Sequence, residues 1–386
     1  METEMTYNVS VRLIPLEHYF FGDENLNTDG TEKYYQHSLQ LPQQTTVLGA
    51  MRFLLLQTAD KNIFDENKIQ NKTEAGKLIG KNSFDRSVTQ YGKINAISEV
   101  LLWHEKNGFY LPMLAWKKYD IKEGKEEEKG VDIEIETKGE NNKCFFDTNQ
   151  EKNSISLPNY KAKHGINQYW IGQDGKPFEG DIFKEYHHSG NFKNKNNKVE
   201  DDEDAYFKMC YCRLNSVFSF VFDMNISDES VIDTLVKEKR IAYVGGERSK
   251  FICEIERLND SNPKRITDDI YKKAYTPYCD TSSKYTKVIL TSDAYTEGNP
   301  YENTLLAVSQ IKKFRFMQSY TDKTDAYNNR VQDNKIKRNG LKQSQLFNLL
   351  RRGSVFYFDK NADINGFLKN PPFETIGYNK FYKFKI

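Results

Sequence analysis

The sequence predicts an α+β protein of two ferredoxin-like units in tandem, with large insertions. Three observations predict it. Residues 6–258 carry apolar patterns in the order strand, helix, strand, strand, helix, strand, with a long polar insertion in the middle; RNA-recognition modules share this ferredoxin-like order. A polar, proline-containing linker from Asn259 to Arg265 then precedes a second set of strand patterns, a less regular copy. Near the end of the first unit stands Tyr243-Val244-Gly245-Gly246-Glu247-Arg248-Ser249-Lys250-Phe251, two adjacent glycines between an apolar pair and a basic, polar run. The expected domains are 1–258 and 259–386.

Taken in order, Tyr7, Val9, Val11 and Leu13 alternate with polar residues and make a half-buried strand ended by Pro15. Leu16 to Ser38 reads as loop. Thr45 or Thr46 caps a helix whose buried face is Val47, Leu48, Met51, Leu54 and Leu55. Gly49 and Ala50 allow close packing there. Arg52 is the one charge in this apolar segment, either a solvated position or a phosphate contact. Two strands, 97–103 and 109–113, flank a turn at His104 to Gly108. Residues 117–153 are dense in charge of both signs and read as a solvated loop or hairpin. Residues 157–204 are polar and irregular, a thumb-like segment. Within it His187-His188-Ser189-Gly190-Asn191-Phe192-Lys193-Asn194-Lys195 is basic, carries an aromatic, and has Gly190 as a turn. Strands 206–214 and 217–223 pair around Asn215-Ser216.

Ser227 to Arg240 reads as a helix. Val231, Ile232, Leu235 and Val236 form one face, with acidic residues in the first turn and basic ones in the last, as the helix dipole prefers. Phe251, Cys253 and Ile255 alternate with Glu254 and Glu256 as a strand. The predicted unit is therefore helix, glycine loop, strand. Glycine admits positive φ and close backbone approach. The amides it frees form an anion-binding nest, beside which Arg248, Ser249 and Lys250 add charge and a hydroxyl. In the second unit, strands fall at 285–291, 309–317, 353–358 and 380–386. Basic clusters, Lys335 to Arg338 and Arg351-Arg352, lie between them.

Composition narrows the function. The 386 residues are 29% charged and 38% hydrophobic, with a net charge of +1. Such a chain folds into cores, and a nucleic-acid partner must be met by local basic patches. No apolar run reaches 18 residues, and the acidic N-terminal residues lack a signal-peptide core. Five cysteines without a CxxC pair point to reduced thiols and a cytoplasmic setting. Aromatics reach 13%, enough for stacking platforms or for strands.

Catalytic patterns fail one by one. Gly76-Lys77-Leu78-Ile79-Gly80-Lys81-Asn82 imitates a phosphate loop with one residue too few, and with Asn where a hydroxyl must reach magnesium. GxGxxG, HExxH and GxSxG do not occur. Cys210 and Cys212 share a strand face and read as buried thiols. His187-His188 has no Cys or carboxylate at ligand spacing, and Asp201 to Asp204 reads as a solvated run. No nucleophile, base and orienter assemble. The sequence gives no expectation of a metal or cofactor.

Four segments together resemble a known family. Leu41-Pro42-Gln43-Gln44-Thr45-Thr46-Val47-Leu48-Gly49-Ala50-Met51-Arg52 is similar to a P-x-T-V-x-G-A-x-R helix start. Val244-Gly245-Gly246-Glu247-Arg248 is similar to an L-G-G-E loop, Gly353-Ser354-Val355 to a G-S-V strand, and Ile376-Gly377-Tyr378 to a closing L-G-Y-G. In this order they resemble the third subunit of the Cmr complex of type III-B CRISPR systems, in the RAMP superfamily. The closing motif departs from the pattern, with Asn379-Lys380-Phe381 where glycines usually follow, so no RNA contact is carried onto Gly377.

The resemblance implies tandem ferredoxin-like (RRM-like, RAMP) domains, no catalysis, and a place at the foot of a ribonucleoprotein. The subunit would hold the 5′ repeat-derived tag of the CRISPR RNA and dock the large polymerase-like subunit and the backbone subunits. It would meet target RNA through the complex. The RNA-binding residues expected are Arg52, Gly245, Gly246, Arg248, Ser249, Lys250, Arg351, Arg352, and His188, Phe192, Lys193 and Lys195 of a finger at 187–198. The alternative is a RAMP endoribonuclease that processes precursor CRISPR RNA, which would need a general acid-base pair.

Overall fold

A computed structural model describes residues 7–23, 35–80, 83–122, 125–132, 136–138, 154–156, 165–191, 206–259, 265–278, 285–320, 340–359 and 366–384, with a few single positions besides. The fold is mixed α/β and dominated by antiparallel sheets. The main sheet runs Asn167–Gly172, Gly108–Lys122, Leu101–His104, Phe218–Ile226, Val9–Pro15, Ser249–Arg257, Arg240–Val244. Ile94–Ile97 and Lys125–Asp132 add to it at the side. Phe218–Ile226 is buried at almost every position because it pairs on both edges and is covered on both faces. Val9–Pro15, where Val9, Val11 and Leu13 are fully buried, is the other central strand.

Numbered as strands of one unit, the centre of this sheet has the order last, first, third, second. The second sheet repeats that order. Leu306–Val308, Val355–Asp359, Tyr285–Leu290 and Phe381–Lys383 lie side by side, all antiparallel.

The first helix, Gln44–Gln57, and the helix Glu229–Val236 cover one face of the main sheet; Val47, Leu48, Met51, Leu54 and Leu55 are buried as the periodicity predicts. Asp228 caps the second helix by accepting from the backbone of Ser230 and Val231. The opposite face carries the helix Asp268–Tyr275. Tyr275 Oη donates to the Pro112 carbonyl at 2.8 Å, and Tyr271 Oη to Glu99 Oε1 at 2.5 Å. Leu101, Leu111, Met113, Ile289, Val355 and Tyr357 join these tyrosines in one cluster. The two sheets thus share a core, and residues after 258 belong to the packing of both.

Several expectations change. Arg240–Val244 is a strand, so the glycine stretch is a β-hairpin turn and not a helix-to-strand loop. Arg240 leaves the helix because its backbone pairs with Cys253. Strands Tyr206–Leu214 and Phe218–Ile226 do not pair with each other. The first pairs with Phe183–Asn191 and, in parallel, with Tyr35–His37; the second is taken into the main sheet. His187 to Gly190 is therefore strand, with Gly190 opposite Phe207. The 157–204 segment is more regular than expected, since Asn167–Gly172 forms an edge of the main sheet. The 16–38 loop likewise contains the Tyr35–His37 strand.

Among the described residues no helix is long and apolar enough to cross a membrane.

Candidate nucleic-acid interface

The hairpin turn is built for close approach on one side and openness on the other. Gly245 has φ +84°, and a Cβ there would stand 2.8 Å from the Phe20 carbonyl oxygen, so only glycine fits. The turn closes with Arg248 N–H donating to Gly245 O at 3.1 Å. Arg248 itself takes φ +53°, and its guanidinium lies 5.2 Å from the Tyr243 ring centroid, a cation–π contact that holds the charge at the turn. Ser249 is spent on the fold: its Oγ accepts from Phe20 N–H at 3.1 Å. Lys250 is exposed and stands opposite Tyr243 in the ladder, on the same sheet face. Gly246 is exposed, and nothing lies within 4 Å of where its Cβ would be.

Gly246 faces a cleft of about 570 Å³. Its far wall is the first helix, through Thr45, Thr46, Gly49, Arg52 and Phe53. The helix begins at Gln43 without a side-chain cap and has no acidic residue in its first turn, so its dipole is left uncompensated. Arg52 Nη2 donates to the Gly80 carbonyl at 3.1 Å, while its Nε is buried without a partner among the described residues. Burial lowers the Arg52 pKa, against the opposing effect of Tyr91. The third wall brings Arg315, Phe316 and Met317 from the second unit, with Arg315 Nη1 donating to Gln343 Oε1 at 3.2 Å. Three arginines, a glycine turn and a helix start therefore meet in one place. Among its described lining residues there is no Asp, Glu, His or Lys. The sequence pointed to Arg52, Gly245, Gly246 and Arg248; Arg315, Thr45 and Thr46 emerge only from the folded chain. Arg315 carries no motif that could have flagged it.

The remaining predicted residues lie elsewhere. Arg352 is a correction. It is 5% exposed; its backbone N–H and Nε both reach Asp293 Oδ1, at 2.9 and 3.3 Å, and Nη1 donates to Val100 O. Burial alone would push the Asp293 carboxyl up, but Arg352 and Lys312 outweigh it and hold the carboxyl below its usual range. Arg352 is an internal counter-ion, its guanidinium spent on Asp293 and Val100. Arg351 lines a second cleft of about 720 Å³ with Lys312 and Lys313, and its Nη1 donates to Gln310 Oε1 at 2.8 Å. His188 is exposed on the Phe183–Asn191 strand, with its ring 6.5 Å from that of Tyr211. Phe192, Lys193 and Lys195, and with them most of the expected finger, lie outside the described residues.

The other motif glycines do different work. Gly377 has φ +90°, and a Cβ would meet the Ser98 carbonyl oxygen at 2.2 Å. Gln44 Nε2 donates to both Gly377 O and Ser98 O, and Tyr378 Oη donates to Gln43 Oε1 at 3.0 Å. Gly353 O accepts from Leu114 N at 2.8 Å, and a Cβ would press on that nitrogen. These turns seam the second unit to the first.

No curated protein matches the sequence. Among solved structures the chain is similar to a chain of "Cryo-EM structure of the Type III-B Cmr-beta bound to cognate target RNA", at 13% identity and TM-score 0.48, covering 96% of each chain. It is also similar to one of "Cryo-EM structure of the Type III-B Cmr-beta bound to cognate target RNA and AMPPnP, state 1", at 13% identity and TM-score 0.46, covering 96% of this chain and 95% of that one. The sequence profile of the family described as CRISPR-associated protein (Cas_Cmr3) matches residues 11–384, and the chain belongs to that family.

Proposed function

We propose that this Cmr-type CRISPR subunit binds guide RNA without cutting it, as a structural member of a type III-B effector complex. It holds the 5′ repeat-derived tag of the CRISPR RNA and docks the large polymerase-like subunit and the backbone subunits. Its two sheets are read as tandem ferredoxin-like RAMP domains on the strength of their shared strand order.

The observation that carries the reading is the arginine-lined cleft at the glycine turn. A phosphate needs amide donors and fixed positive charge at short range. The open face of Gly246, the start of the first helix and Arg52, Arg248 and Arg315 supply both. A cleft of this size suits one or two nucleotides. General acid-base cleavage needs a proton acceptor near the scissile phosphate. The described lining offers no imidazole or carboxylate, which favours the binder over the endoribonuclease.

The test is fluorescence anisotropy with a short RNA bearing the repeat tag. Three arginine contacts predict a slope of log affinity against log salt of about −2, at roughly −0.7 per contact. Incubation with repeat RNA should leave it intact. A discrete cut would return the reading to an endoribonuclease.

A further inference from the structure

Away from the cleft, three strands that are remote in sequence place His37, Glu185 and Cys210 together. Tyr35–His37 pairs in parallel with 208–210, which sets His37 opposite Cys210. On the other edge of the same strand Glu185 stands opposite Cys212, two pairs along from Cys210. Residues opposite one another, or two apart, share a sheet face. The imidazole, carboxylate and thiol atoms all lie within 4.8 Å of one another. We propose that His37, Glu185 and Cys210 form a binding site for a borderline-soft divalent cation, zinc first among them.

The donor set argues for that class. Thiolate, imidazole and carboxylate at once suit Zn²⁺, whereas Mg²⁺ and Ca²⁺ take oxygen alone. Cys210 is buried, which shields a metal–thiolate bond there from solvent. A dication bound between Cys210, Glu185 and His37 would displace the thiol proton on binding. Three protein ligands leave a fourth position for water. His187, opposite Cys210 on the same face, has its Nδ1 3.3 Å from Tyr35 Oη.

Bound there, the ion would tie the three-residue strand Tyr35–His37 to the strand pair Phe183–Asn191 and Tyr206–Leu214. A sequence scan misses the site because its ligands come from three segments with no local spacing.

The experiment uses the purified full chain, stripped with chelator and titrated with Co²⁺, then with Zn²⁺. Expected are a thiolate-to-cobalt charge-transfer band in the near ultraviolet, its displacement by Zn²⁺, and one Zn²⁺ per chain by emission spectroscopy. Cys210→Ser and His37→Gln should abolish the band, while Cys253→Ser, a buried thiol elsewhere, should keep it. Glu185→Gln changes an exposed residue and keeps the fold; it should weaken Zn²⁺ by about tenfold or more, since even groups behind the ligands cost that much. No charge-transfer band in the parent chain would overturn the proposal. So would a Zn²⁺ affinity unchanged in both Glu185→Gln and Cys210→Ser.

Discussion

The turns at Gly377 and Gly246 come from the same kind of motif and have opposite surroundings. Gly377 is buried at positive φ with a carbonyl where a Cβ would sit, and its own carbonyl is held by Gln44. Gly246 has no positive φ and open space above it, while its neighbour Gly245 carries the conformational burden. The difference separates two reasons for glycine. At the seam the missing side chain lets two units close on each other. At the hairpin it keeps a backbone surface bare beside three arginines.

The largest expected effect falls on the seam. Gly377→Ala combines left-handed strain with a clash against backbone, together roughly 2–6 kcal/mol of stability. Thermal denaturation should show it directly, and an unchanged melting temperature would break the seam reading. Next is Arg352→Met, which leaves Asp293 buried and under-compensated at a cost of about 3–5 kcal/mol. Its RNA affinity per folded molecule should stay unchanged. Weaker binding with full stability would return Arg352 to the interface.

The seam also has a pH signature. Burial pushes the Asp223 carboxyl up to about 7, despite hydrogen bonds from Ile266 N–H and Ser10. From the ordinary carboxylate range to about pH 7 the folded chain holds a proton that the unfolded chain has lost. This group's contribution to stability therefore falls as pH rises through that window and is level above it. Asp223→Asn removes the decline. Relative to the parent, the variant should gain up to about 4 kcal/mol at pH 8, three pKa units at about 1.36 each, and little at pH 4. Equal gains at both pH values would contradict the assignment.

On the open side the effects are smaller and specific to RNA. Arg248→Ala and Arg315→Ala should each reduce the salt slope by about 0.7 while leaving the melting temperature in place. If Arg315→Ala has no effect, the second unit does not reach the RNA. Smallest of all, Gly246→Ala should change stability by no more than about 0.5 kcal/mol.

How far the sequence could be read follows the same division. Local patterns placed the first strand and the buried face of the first helix, because each depends on residues a few positions apart; the cap expected at Thr45 or Thr46 does not form, since the helix already starts after Gln43. Three strand patterns after residue 258 were visible for the same reason, whereas the expected strand 309–317 is split into Ile311–Phe314 and Met317–Tyr320, and the second sheet takes Leu306–Val308 instead. Pairing was not local. Phe218–Ile226 sits next to Tyr206–Leu214 in sequence, yet it finds Val9–Pro15 and Leu101–His104 because only the main sheet can bury both its faces. Arg240 ends an apparently amphipathic helix because edge pairing with Cys253 claims its backbone. In the cleft, Arg248 announced itself beside two glycines, whereas Arg315 needed the second unit to fold back. Arg352 looked like its neighbour Arg351; the buried Asp293, 59 residues away, tells them apart.

The most direct measurement is the affinity of Gly246→Val for a tag-bearing RNA, at fixed salt, in protein whose melting temperature matches the parent. Open space lies where its Cβ would stand, at a residue that lines the cleft. Affinity about tenfold weaker, the loss of roughly one charge-assisted hydrogen bond, is the predicted result. Parental affinity in a fully folded variant would contradict the assignment of this turn to RNA.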